Sequence, residues 1–281
     1  MNDLLWYRKV IPLVFSCLFI IFFFICQYQF SQCGYWLLYK DYSPAYTYVC
    51  EFQNLQSIVR QPLNTLSNLL FMYFAIEIMV FSYHDRFNYK DAPNLIRMNY
   101  QYSLFFGLSM FFLFIGSTIY HASMLDVFAK FDMFGVYAIL LLPLIITVHK
   151  IIAATYFGNK PYFSYSGSFV AILVFLLSLY FVAGNFWQNE AYYVLPILFF
   201  ALVGLSIYHH YYYVKKYRKD FLIMSLLFMF FALPCYVIDQ YYCYELSYFQ
   251  LHSLWHVLAA FSTYYYYLFL RTEKNLILLD S

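Results

Sequence analysis

Two histidines four residues apart, His252 and His256, and a third far from them in the chain, His121, are the residues best suited to chemistry. Residues at i and i+4 share one helix face, about 6 Å apart along the axis, so His252 and His256 present two stacked imidazoles. A third imidazole from another helix would complete three neutral nitrogen ligands and leave the fourth tetrahedral position of a zinc ion open to water. That is the pattern of catalytic rather than structural zinc, which four protein ligands usually close. Ser117 lies one turn before His121 on the same face, and Asp132 follows it by eleven residues. Beside an open metal position, a hydroxyl and a carboxylate supply a hydrogen-bond donor and a proton acceptor, the groups that hydrolysis at a carbonyl requires.

The elements that must hold these groups are dictated by lipid. Of the 281 residues, 64% are hydrophobic and 11% charged, whereas a soluble domain carries roughly a quarter charged residues. Apolar stretches long enough to span a bilayer occur at 10-27, 66-83, 102-121, 131-149, 167-184, 192-213, 220-238 and 248-270. Each must be a helix, because a spanning segment has to satisfy its own backbone hydrogen bonds. The expected fold is therefore an all-α polytopic membrane bundle, a single membrane domain over 1-281. A net charge of +2 and the lack of a basic run interleaved with aromatics exclude nucleic acid as a partner.

With the N-terminus inside, only Lys40, Arg60 and Lys130 of the sixteen lysines and arginines fall in outer segments, leaving thirteen inside. Cytoplasmic loops carry the positive excess, so both chain ends are expected in the cytoplasm, the last as a tail over 271-281. The first segment could be read as a signal peptide, but its apolar run of about 17 residues is longer than an h-region and no small-x-small site follows cleanly. A retained helix is expected. Segment 28-65 would form an outer cap, with Tyr35, Trp36, Leu37, Leu38 and Tyr39 as an interfacial anchor.

On this topology His121, Asp132, His252 and His256 all fall in the outer half of the membrane, where burying the acid alone costs at least ~2.5 kcal/mol. His84, His149, His209 and His210 fall at inner helix ends and read as interfacial polarity. Glu77 lies nearer the inner face, where snorkelling or local pairing is expected rather than catalysis. Asn64 and Asn68 either orient the site or pack helices, with packing favoured. Trp255 is expected to support the imidazoles on either side of it. Among the outer cysteines Cys33, Cys50 and Cys243 one disulfide can form, Cys50 with Cys243 being preferred. Cys17, Cys26 and Cys235 read as small buried apolar groups.

The run Gly116, Ser117, Thr118, Ile119, Tyr120, His121, the later Asp132, and the block His252, Ser253, Leu254, Trp255, His256 together resemble the alkaline ceramidases. The same pattern marks their wider superfamily of seven-helix membrane hydrolases, with the adiponectin-receptor-like proteins and the lipases that remodel GPI anchors. Cys50 and Glu51, then Asn64, Thr65, Leu66, Ser67 and Asn68, are similar to the family's Cys-Glu pair and Asn-Thr-x-Ser-Asn block. The resemblance spans about residues 50-270 and implies a zinc ion held by His121, His252 and His256, with Ser117 and Asp132 beside it. It also implies a seven-helix core, to which 10-27 is an addition. In the animal ceramidases several acids between the Cys-Glu pair and the Asn-Thr block hold calcium; here Glu51 is the only acid in 50-64, which argues against a calcium site.

The activity expected from residues and resemblance together is zinc-dependent hydrolysis of a lipid amide, a ceramide-like molecule giving a sphingoid base and a fatty acid. An esterase or phospholipase using the same zinc water, and a receptor-like protein with structural zinc, are the other readings. The sequence leaves open whether the membrane is a bacterial inner membrane or that of the ER or Golgi.

Overall fold

The computed structural model describes residues 2–39, 41, 51–88, 95–157, 161–185, 191–216, 218–241 and 250–275. Among the described residues each expected apolar stretch is helical, with 66-83 divided at Asn68 and the last helix beginning at Leu251. The α-helices are α1 (Asn2–Gln29), α2 (Pro62–Ser67), α3 (Leu69–Asn88), α4 (Leu95–Met98), α5 (Tyr100–Ser123), α6 (Asp126–Phe157), α7 (Pro161–Asn185), α8 (Ala191–Tyr213), α9 (Lys219–Tyr241) and α10 (Leu251–Thr272). A short antiparallel pair, β1 (Val214–Lys216) with β2 (Lys274–Asn275), ties the residues after α8 to those after α10.

Among the described residues six helical stretches, those of α1, α2 with α3, α5, α6, α8 and α9, are long and apolar enough to cross a membrane. The chain is a multi-pass membrane protein. In α7 the described apolar part is Ser166–Val182, just short of that length. For α10 the reason is position: it packs along α9 and against α2 and α3, so its Ser262, Thr263, Tyr264, Tyr266 and Tyr267 are buried in protein and need not match the apolarity of lipid. Helix α5 lies between α3 and α6, α6 carries α7 and α8, and α1 packs on the outside of α3.

Helix α1 is fixed by charge as well as by packing. Arg8 Nη2 donates to Glu77 Oε1 at 2.6 Å, and its guanidinium lies 3.9 Å from the centre of the Phe81 ring. Arg271 approaches the same ring at 4.2 Å. Pairing with a neighbouring helix is thus what keeps Glu77 in the membrane interior.

Two features of the α5–α6 pair position the site. Met124 ends α5 in the left-handed region, at φ 59°, with its N–H donating to the Tyr120 carbonyl, a common way to stop a helix. Its side chain is fully buried with Tyr120 and Ala129, which helps offset the cost of that backbone in a residue other than glycine. Only Met124 and Leu125 separate the helices, so Ser117, six residues before the end of α5, stands level with Asp132, six residues after the start of α6. The second feature is close approach. A Cβ on Gly116 would meet the Phe131 carbonyl carbon and oxygen at 2.8 Å, and one on Gly135 would meet Leu113 Cα at 2.6 Å.

The cap is bonded to the end of α5: the N–H groups of Arg60 and Gln61 donate to the carbonyls of Ala122 and His121, and Arg60 Nη1 to that of Ser123 at 3.1 Å. Tyr35–Leu38 form a 3-10 turn, with Trp36 Nε1 donating to the Ile58 carbonyl at 2.7 Å.

One expectation needs correction. Cys17 is exposed and Cys26 and Cys235 are half-buried, because in a membrane protein small apolar groups are as well solvated by lipid as by a core. The described part of the expected tail over 271-281 is packed on the bundle, with Glu273 fully buried and β2 paired with β1. The proposed partners Cys50 and Cys243 lie outside the described residues.

Candidate metal centre

His121 is in the last turn of α5, and His252 and His256 are in the first turns of α10. Their ring centres form a near-equilateral triangle, with His121 5.0 Å from each of the others and His252 4.7 Å from His256. One ligand atom from each lies within 4.8 Å of the other two. His121 and His256 are buried, and His252 is half-buried.

Hydrogen bonds settle which nitrogens face inward. His121 Nδ1 meets Gln61 Oε1 at 2.7 Å; a carboxamide oxygen only accepts, so Nδ1 carries the proton and Nε2 presents a lone pair. That Nε2 is buried and has no hydrogen-bond partner among the described residues. Ser67 Oγ donates to the Asn64 carbonyl at 2.9 Å and lies 2.9 Å from His256 Nδ1. A hydroxyl has one proton, so His256 Nδ1 must be the donor and its Nε2 too is a lone pair. His252 Nδ1 stands 3.6 Å from Asp239 Oδ2. Oxygen partners behind metal-binding imidazoles are what orient such rings and raise their basicity. Three imidazoles, two of them buried and one with an orphaned nitrogen, fit a zinc-type cation far better than a calcium ion, which takes oxygen ligands.

Asp132 adjoins this triangle. Ser117, buried on α5, donates a hydrogen bond to its carboxylate, and His252 is close enough to act on it electrostatically. The contact exists because Gly116 lets α5 touch the α6 backbone at Phe131 and Asp132. Beyond His256, Leu63, Leu66, Ser67, Gln250, Ser253, Leu254 and Val257 line an open, mainly apolar groove of about 270 Å³ between α2 and α10.

The structure thus brings His121, His252, His256, Ser117 and Asp132 together. A sequence profile of the ceramidase family matches residues 45–276. This chain belongs to the ceramidase family. It is accordingly a hydrolase acting on the amide bond of ceramide. No curated protein and no solved structure matches it. Helix α1 lies outside the segment shared with the other ceramidases.

The remaining expected residues are less directly involved. Asn64 is buried, with Nδ2 donating to Gln61 Oε1 at 3.3 Å and its carbonyl accepting from Ser67 Oγ and from Asn68 Nδ2. Its contacts with Gln61 and Ser67 link it to the two imidazoles that those residues touch. Trp255 packs on Tyr236 of α9, ring centres 5.2 Å apart, and Tyr236 in turn lies 6.3 Å from the His252 ring. Glu51 caps α2, its two oxygens accepting from the N–H groups of Leu63 and Asn64 at 2.6 and 2.8 Å. Burial pushes the Glu51 carboxyl up to about 7 against the opposing pull of those bonds. Gln61 and Asp239 carry no motif of their own, and Ser67 only its place in the Asn-Thr-x-Ser-Asn block; for Asp239 the one signal in the sequence is an acid near the end of an apolar helix.

Proposed function

We propose that this ceramidase-family chain cleaves its lipid amide with zinc held by His121, His252 and His256. The observation that carries the reading is the convergence of three oriented imidazoles beside a Ser117–Asp132 pair. A zinc ion bound there would acidify water and polarise a carbonyl oxygen. Asp132 takes the proton of the attacking water and passes it to the departing amine nitrogen as the C–N bond breaks. Ser117 turns its hydroxyl from Asp132 to the amide oxygen as negative charge develops there. Gln61, Ser67 and Asp239 hold the imidazoles in position. The groove between α2 and α10 takes an aliphatic chain, its apolar wall continuous with Leu63, Leu66, Leu254 and Val257. A ceramide-like lipid suits this arrangement because its amide lies at the polar boundary of the bilayer and its chains in the hydrocarbon.

The same reading has both chain ends in the cytoplasm and the metal centre in the outer half of the membrane, supported by the thirteen inner lysines and arginines against three outer ones. A receptor with structural zinc would have no use for Ser117 and Asp132 beside an open position.

Purified protein should carry zinc at its outer triangle and release fatty acid from ceramides in preference to lysolipids and phospholipids. Asp132→Asn should keep the metal and lose about 10²–10⁴ in kcat, and His256→Ala should lose both. Ceramide hydrolysis by protein stripped of metal would overturn the mechanism.

A further inference from the structure

At the far end of the bundle a second group of ligands converges. His256 and Glu273 are 17 residues apart along α10 and its exit, about 26 Å at 1.5 Å per residue. Glu273 is the first residue beyond α10, and the β1–β2 pairing that follows holds it beside the end of α8, where His209 and His210 lie. All three are buried, and one ligand atom from each lies within 4.8 Å of the others. We propose that His209, His210 and Glu273 form a second metal site, for zinc or a similar borderline divalent ion, separate from the hydrolytic centre and not dependent on it.

The argument rests on donors and acceptors. His210 Nδ1 contacts the Ser206 carbonyl at 2.8 Å, which only accepts, so Nδ1 bears a proton. Its Nε2 is 3.0 Å from Glu273 Oε1. A cation belongs between those two atoms, either a proton on Nε2 that makes an ion pair with Glu273 or a metal ion in its place. His209 Nδ1, buried and with no hydrogen-bond partner among the described residues, is a third donor in the same pocket. Two imidazoles and a carboxylate select zinc over calcium or magnesium. Lys150 of α6 donates to the other oxygen, Glu273 Oε2, so Oε1 is the one turned toward His210. The lysine charge also opposes the ion, so this site binds more weakly than the outer one. An occupied site would join α8 to the exit of α10 through the metal.

The test uses the full-length chain in detergent, with His256→Ala to silence the outer centre. Zinc alone, followed by calorimetry and elemental analysis, should bind at one equivalent per chain. Adding His209→Ala and His210→Ala should abolish that binding. Lys150→Met should tighten it by about tenfold or more, since an opposing charge is removed, and zinc should raise the melting temperature of this variant. A purely structural role for the cluster as an ion-pair network would give no tightening. The proposal is overturned if the His256→Ala protein takes up no zinc, if binding survives loss of both histidines, or if Lys150→Met leaves affinity unchanged. The Lys150→Met result decides the matter should the histidine variants not fold. Ceramide hydrolysis by the otherwise native enzyme reports on the outer centre alone, so the two failures are distinguishable.

Discussion

Gly116→Ala asks whether the contact between α5 and α6 sets the geometry of Ser117 and Asp132. The added methyl would lie 2.8 Å from the Phe131 carbonyl carbon and oxygen and 2.9 Å from Asp132 N. All three are backbone atoms, so no side chain can rotate away. Ordinary contact begins at 3.4 Å, and the helices must therefore part locally by about 0.6 Å. Overpacking of this kind costs about 1–3 kcal/mol, which a bundle of this size should survive. Misplacing catalytic groups by 1 Å costs about 100-fold, so 0.6 Å predicts a fall in kcat of about tenfold or somewhat more, or about 1.4 kcal/mol. Zinc content should stay near that of the unaltered protein, because His121 is held independently by Gln61 and the cap backbone. Fatty-acid release from ceramide in mixed micelles gives kcat, and elemental analysis gives the metal. Gly184→Ala, with nothing within 4 Å of the added methyl, is the control. Unaltered kcat in Gly116→Ala, or a loss fully explained by missing zinc, would refute the reasoning.

Ser67→Ala removes the acceptor behind His256 Nδ1 and should weaken zinc binding by about 10–100-fold, read by competition with a chelator; Ser67→Thr should restore most of it. Glu51 predicts a pH effect in metal-free protein. Its folded-state pKa is raised from 4.5 to about 7, so its contribution is full below about 4.5 and is lost as pH rises through 7. The span is worth about 3 kcal/mol at 1.36 kcal/mol per pH unit. Melting temperature should fall from pH 5 to pH 8, and Glu51→Gln should flatten that fall; an equally steep profile in the variant would show that another group is responsible.

Lipid makes helices legible, because a spanning segment has no alternative way to satisfy its backbone; the expected stretch 131-149 lies wholly within α6, and 102-121 within α5. The imidazole triangle was legible for a related reason, since polar residues at one depth in a membrane stand out against their surroundings. Gln61 and Ser67 were not, because a carboxamide in a loop and a serine at a helix end are ordinary until tertiary contact shows what they touch. The grouping of His209 and His210 with Glu273 is hidden for the same cause: Glu273 is more than sixty residues away and reaches them only beyond the end of α10. The Gly116 contact is likewise invisible without the facing helix.

The two-residue link between α5 and α6 makes chain length itself a component of the reaction centre. Inserting or deleting one residue there would shift one helix by about 1.5 Å and turn it by about 100° against the other, carrying Asp132 away from the Ser117 hydroxyl. Side-chain exchange at Met124 or Leu125 is a question of packing, whereas a change in spacing would unmake the alignment with every chemical group still present.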